Sequence, residues 1–128
     1  MRVRMEFAYD TEHDLVIATP HGKLENEAEV LDWYGQWVDY LKQFGRRMDV
    51  VVVLDDFSIA PSVGANWGEY RAKIHKQLTR YSYRVHPDAR VRLYSNTSGV
   101  RYDVASEEAA TVEDAILAIQ AARKAAQP

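Results

Sequence analysis

The chain predicts an α/β (α+β) domain, a mixed β-sheet with helices packed on it in the order ββ-α-β-α-ββ-α. Three observations predict this class. Val50-Val51-Val52-Val53-Leu54 is a run of five apolar residues, four of them β-branched, without two-residue alternation, so both faces of that strand are expected to be buried. Residues 26–45 carry apolar side chains at three- and four-residue spacing, the mark of an amphipathic helix. Residues 2–9 alternate apolar and polar, as a strand with one wet face does. Helices interleaved with strands behind an opening hairpin call for a mixed sheet with helices packed on it.

Taken in order, Val3, Met5, Phe7 and Tyr9 alternate with Arg4, Glu6 and Ala8 in the first strand. Asp10–Asp14 is a polar turn, and Leu15–Thr19 is a second strand that pairs with the first as an antiparallel hairpin. Pro20-His21-Gly22 is expected to stop it. Asn26 and Glu29 have the spacing of a capping box. Val30, Trp33, Tyr34, Trp37, Val38, Leu41 and Phe44 then form one broad apolar face, and Gly45 suits the left-handed position that ends the helix. At this spacing the two tryptophans read as core rather than as a stacking platform for a ligand. The valine strand follows at 49–55, then a second helix from about Ser62 to Arg80, with Trp67, Tyr70, Ile74 and Leu78 on one face. Tyr81, Tyr83 and Val85 alternate with Ser82, Arg84 and His86, and Val91 and Leu93 alternate with Arg90 and Arg92, which suggests a second hairpin with one wet face. Residues 96–106 have no clear pattern. Thr111 and Asp114 mark the N-terminus of a last, alanine-rich helix over 112–126, with Ile116, Leu117 and Ile119 apolar.

The 128 residues are expected to form a single domain over 1–128, large enough for a real core. A 47% hydrophobic and 27% charged composition is that of a soluble globular protein. No apolar run approaches the roughly 20 residues of a membrane helix, and Met1–Glu6 has no signal-like apolar core. The absence of cysteine excludes disulfides, thiol nucleophiles and thiolate metal sites, and suits a reducing cytoplasm, the expected location. The net charge of −3 is unevenly spread. Arg71, Lys73, Lys76, Arg80, Arg84, Arg90 and Arg92 stand against Asp88 alone over 71–92. Arg71, Lys73, Lys76 and Arg80 are therefore a candidate anion patch, although such runs more often form a solvated face. Single-stranded nucleic acid on Tyr81, Tyr83 and Tyr94 is disfavoured, because Tyr81 and Tyr83 share a face with Val85 and the overall charge is negative.

Four pieces of sequence, in order, resemble the SpoIIAA-like branch of the STAS superfamily, the fold of anti-sigma-factor antagonists. Gly22-Lys23-Leu24 resembles the turn into the first helix, and Val51-Val52-Val53-Leu54-Asp55-Asp56-Phe57 the central strand with its acidic exit. Gly64-Ala65-Asn66-Trp67-Gly68-Glu69 resembles the opening of the second helix, and Thr111-Val112-Glu113-Asp114-Ala115-Ile116 the capped entry to the last. In antagonist domains of this superfamily an Asp-Ser-x-Gly turn carries the serine that a kinase phosphorylates. Ser62 and Gly64 match that turn, whereas Pro61 replaces the aspartate. The resemblance implies a partner protein, a regulatory kinase or an anti-sigma-like factor, or a second copy in a homodimer. A phosphate on Ser62 would lie at a helix N-terminus, where the dipole favours negative charge. The plainer reading makes Ser62 an N-cap.

No catalytic constellation is legible. His13, His21, His75 and His86 lack any spacing that would present two metal ligands together. Asp55 and Asp56 are adjacent and point to opposite faces of a strand, so capping of the following turn is their commoner use. Ser62 lacks a Gly-x-Ser-x-Gly elbow, and no Gly-x-Gly-x-x-Gly or Walker loop is present. Catalysis, cofactors and metals are therefore not expected. The leading expectation is a regulatory module that docks a partner or dimerises through the Ser58–Trp67 turn, using Asp55, Asp56, Phe57, Ile59, Ser62, Val63, Gly64 and Trp67. The alternative is a carrier of a small apolar or lipid-like ligand, with the aromatic residues lining a cavity.

Overall fold

The valine strand lies in the middle of the sheet, with helices on both of its faces. The computed structural model describes residues 3–86 and 107–127. The elements, in chain order, are β1 (Arg4–Asp10), β2 (Leu15–Leu24), α1 (Glu27–Leu41), β3 (Met48–Val53), β4 (Asp56–Ile59), α2 (Gly64–Gln77), β5 (Thr79–Val85), β6 (Glu107–Ala109) and α3 (Val112–Ala125). The strands are ordered β1-β2-β3-β5-β6, with β4 also paired to β2. Among the described residues, β1 and β2 pair antiparallel, and β2–β3, β2–β4, β3–β5 and β5–β6 are parallel.

The unbroken valine run is explained by two cores. Val50 and Val52 pack with Trp33, Trp37, Leu41, Trp67 and Ile74 beneath α1 and α2. Val51 packs on the other face with Leu15, Val85, Ala115 and Ile119 beneath α3. Trp33 and Trp37 are core, as their spacing predicts, and are buried in an edge-on pair at 6.4 Å.

The local signals hold in detail. Asn26 Oδ1 accepts from the Glu29 N–H at 2.9 Å, while Glu29 Oε1 reaches back to the Glu25 N–H at 2.9 Å. Gly45 takes φ 65° after a short 3₁₀ turn over Lys42–Phe44. Thr111 Oγ1 accepts from the Asp114 N–H at 3.1 Å.

Four expectations are corrected. First, β2 does not stop at Pro20-His21-Gly22 but runs to Leu24. Pro20 falls between the part of β2 that pairs with β3 (Val16–Ala18) and the part that pairs with β4 (His21–Leu24), so its missing N–H interrupts no pairing on that side. Gly22-Lys23-Leu24 is thus a strand end rather than a turn. Secondly, the acidic exit from β3 is followed by a further strand, β4. Val50 pairs with Val16, whereas Asp56 pairs with His21, so the register advances by one residue between them. One extra residue exchanges the two faces of a strand. Accordingly Val50, Val52 and Leu54 face the α1/α2 core before it, and Phe57 and Ile59 after it.

Thirdly, α2 ends at Gln77 and β5 begins at Thr79. The Arg47 guanidinium helps to end the helix by donating to the His75 carbonyl at 3.1 Å and to the Thr79 carbonyl at 2.7 Å. Fourthly, Ser82 and Arg84 are buried rather than on a wet face. The expected hairpin partner at Val91 and Leu93 lies outside the described residues. Within them, the edge of β5 away from β3 is taken by β6, which pairs with it over Tyr83–Val85. In α3, Leu117 is exposed, and Ala115 and Ile119 make the buried contact.

Candidate functional site

The β4–α2 turn leaves the sheet at the carboxyl end of β4, the short strand that continues from the central strand, and the carboxyl ends of strands are the usual place for sites in open α/β sheets. The turn is held at two points, the Ala60 N–H donating to the Leu24 carbonyl at 2.8 Å and the Val63 N–H to the Ala60 carbonyl at 3.1 Å; ahead of β4, the Leu54 N–H donates to the Val85 carbonyl at 2.9 Å. Ala60 precedes a proline and takes the extended conformation that this demands (φ −64°, ψ 140°). Pro61 opens a 3₁₀ turn over Pro61–Val63, where its missing N–H costs nothing.

This geometry divides the expected docking residues. Val63 and Trp67 are buried, and Trp67 packs against Trp33 at 6.1 Å, so they anchor the turn and offer no surface. Phe57 and Ile59 are partly buried against the same core. Asp55, Asp56, Ser58, Pro61 and Ser62 are exposed. Ser62 is not the N-cap of α2: Val63 holds that position, and no side chain caps the helix. The serine sits one residue earlier, inside the 3₁₀ turn, which leaves its hydroxyl outside the capping geometry. Gly64 is helical (φ −57°), so no positive φ requires a glycine there.

Asp56 does not cap the turn. The one-residue shift turns it toward His21 on β2, whose Nδ1 lies 2.9 Å from Asp56 Oδ2, while Nε2 lies 3.4 Å from Glu6 Oε1 on β1. The Asp56 carboxylate raises the His21 pKa above its ordinary value, against partial desolvation. Arg4 and then His21 lower that of Glu6. This exposed cluster joins three strands on the face that α3 leaves open. A shallow groove of about 310 Å³ lies there, lined by Glu6, Phe7, Ala8, Ile17 and Thr19.

The structure places the four residues of the expected anion patch in different surroundings. Arg71 is buried over the Trp67 ring at 5.3 Å. Lys73 lies over the Tyr70 ring at 4.7 Å, and Arg80 is bound to Asp49, leaving Lys76 as an exposed cation without such a contact. Among the described residues, no group of three or more potential ligands could hold a metal ion.

Sequence reasoning missed two buried charged sites. Asp49 accepts from Arg80 (3.2 and 3.0 Å), from Arg123 of α3 (2.7 Å) and from the Tyr81 N–H (3.1 Å). Arg123 also donates to the carbonyls of His13 and Asp14, at 2.6 Å each, tying α3 to the first hairpin. An acid at the head of a run buried on both faces was the available signal. On the opposite face, Arg84 donates to Ser82 Oγ at 2.6 Å and to His75 Nε2 at 2.7 Å. His75 is thus a packing histidine, and burial, followed by the charges of Arg84 and Arg71, takes its pKa well below the ordinary range.

Solved structures give the fold a place. A structure of an uncharacterized protein of the DUF3478 family with a SpoIIAA-like fold, from Shewanella loihica PV-4, matches with a TM-score of 0.65. It is 8% identical, over 90% of this chain and 91% of that one. The fold is SpoIIAA-like. The Bacillus cell fate determinant SpoIIAA in its phosphorylated form also matches, with a TM-score of 0.55 and 15% identity, over 91% of this chain and 99% of that one. No family model and no curated protein sequence matches the chain. The SpoIIAA-like fold therefore rests on shape; it agrees with the family resemblance read from the sequence, although the expected turn at Gly22-Lys23-Leu24 is a strand end. No helix among the described residues is long and apolar enough to cross a membrane.

Proposed function

We propose that this chain is a non-catalytic regulatory module that binds a second protein, or a second copy of itself, through the β4–α2 turn. The observation that carries the reading is the division of that turn. Val63 and Trp67 fix it from below, while Ser58 just before it and Pro61 and Ser62 within it are presented to solvent. A rigidly held, exposed segment suits recognition, because little conformational freedom is lost on binding. SpoIIAA, which shares the fold, has a phosphorylated form. By analogy, Ser62 is the residue at which a kinase would switch the contact: a phosphate there adds negative charge to the exposed turn and repels an acidic partner surface. A cysteine-free chain of this kind suits the cytoplasm.

The carrier reading has less support. Phe7, Trp33, Trp37, Tyr40 and Trp67 pack against one another, so these rings fill the core instead of lining a chamber.

The test is site-specific photo-crosslinking in the source cell, with the photoreactive residue placed at Ser58 or, as a control, at exposed Lys124 on α3. A discrete adduct at 58 and not at 124 is expected, with its mass separating a partner from a dimer of the 14.7 kDa chain. Equal adducts at both positions, or none, would refute the docking surface. Ser62→Glu in the same background is expected to abolish the adduct. If it persists, the serine switch fails while the surface stands.

A further inference from the structure

The α1/α2 side of the sheet holds a buried positive charge with only neutral hydrogen-bond partners. Arg84 is 3% exposed, and its two acceptors are the Ser82 hydroxyl and the His75 imidazole. The second bond needs the lone pair of Nε2, so His75 is the neutral tautomer, with Nδ1–H facing Thr79 Oγ1 at 3.2 Å. The Thr79 hydroxyl donates in turn to the His75 carbonyl at 3.3 Å. A second guanidinium, that of buried Arg71, disfavours the charge on Arg84. Among the described residues, no carboxylate is in ion-pair contact with Arg84.

Glu108 is its register partner on β6, and the two charges attract. Yet Glu108 Oε1 is buried without a hydrogen-bond partner, so that carboxylate does not close on the guanidinium. Burial, followed by the Arg71 charge, pulls the Arg84 pKa well below its ordinary value. Arginine does not lose its proton in proteins, so this marks a buried cation that no carboxylate among the described residues contacts. Burying such an ion without a partner is costly.

We propose that Arg84, flanked by Ser82, His75 and Arg71, binds the oxyanion of a small ligand, a phosphate or a carboxylate, between α2 and β5. The guanidinium fork matches two oxygens of such a group, and the Ser82 hydroxyl supplies a further donor. The site is separate from the β4–α2 docking surface and does not depend on it.

The experiment compares thermal unfolding in chloride with unfolding in inorganic phosphate, sulfate or acetate at matched ionic strength, with calorimetry on the best anion. At least one anion is expected to raise Tm, saturably, by about 3 °C or more. Arg84→Met is expected to fold and to lose that gain, because it removes a buried charge and keeps an apolar stem. Lys76→Ala, on the exposed side of α2, is expected to keep it. Should the methionine variant fail to fold, Arg84→Lys retains the charge without the fork and is expected to bind about tenfold more weakly. The proposal is overturned if none of the three anions outperforms chloride, if the gain survives in Arg84→Met, or if it appears only in Glu108→Gln. The last result would make Glu108 the counter-ion.

Discussion

Asp49 and Arg84 are buried charges on the adjacent strands β3 and β5, one facing α3 and the other facing α2, and they are solved differently. Asp49 is answered by two guanidinium groups and a backbone N–H, and through Arg123 it clamps α3 to the β1–β2 turn. Arg84 is answered by a hydroxyl and a neutral imidazole. Desolvation penalises both, but only the first has its full charge balance within the described fold. Burial of a charge is thus not one kind of feature: Asp49 is compensated and part of the framework, whereas Arg84 has no carboxylate in ion-pair contact among the described residues.

The comparison is most exposed at Asp49. Asp49→Ala strands two arginines and leaves the Tyr81 N–H without its acceptor. Because Arg80 and Arg123 reach solvent in part, the expected loss is about 2–3 kcal/mol in urea unfolding. A loss near zero would remove Asp49 from the framework.

The next effect concerns the two histidines on opposite sides of the ordinary value of 6.5. The His75 pKa is lowered by burial, then by Arg84 and Arg71. Below pH 6.5 the unfolded chain takes up a proton that the folded chain refuses, so stability falls as pH falls. The slope approaches about 1.4 kcal/mol per pH unit. His75→Gln is expected to flatten the urea midpoint between pH 6.5 and 5, and an unchanged slope would count against the neutral tautomer.

Arg84→Met comes next. In anion-free buffer it is expected to change stability by less than about 1 kcal/mol, or to raise it, because a buried charge that no described carboxylate contacts is removed. A loss as large as that of Asp49→Ala would erase the contrast.

The smallest effect is at His21, whose pKa is raised first by Asp56 and then by Glu6. Its stabilising contribution is complete below pH 6.5 and is lost as pH rises through the folded value, the reverse of His75. Asp56→Asn is expected to bring the His21 titration, followed by NMR, back toward 6.5.

Elements specified by neighbours in the chain were readable from the residues alone. Both caps, the core face of α1, the left-handed Gly45 and the depth of the valine strand follow from spacing and side-chain chemistry within a turn or two. The site was half legible. Its place after the central strand could be read, but the division between anchored Val63 and Trp67 and exposed Ser62 could not, because burial depends on which distant side chain arrives above a residue.

Local pattern thus settled the class of the fold, the helix ends and the strand that runs through its centre, since each of these is governed by backbone propensity and periodicity over a few residues. Assembly in three dimensions set the rest. Strand β4 exists because residues 56–59 find the far half of β2, 35 residues away in sequence. Arg71 and Arg84 are buried because α2 and β5 close on each other, and Asp49 finds Arg123 across 74 residues. A charged side chain looks the same in a sequence whether it faces water or not, and only the packing of remote elements removes the water.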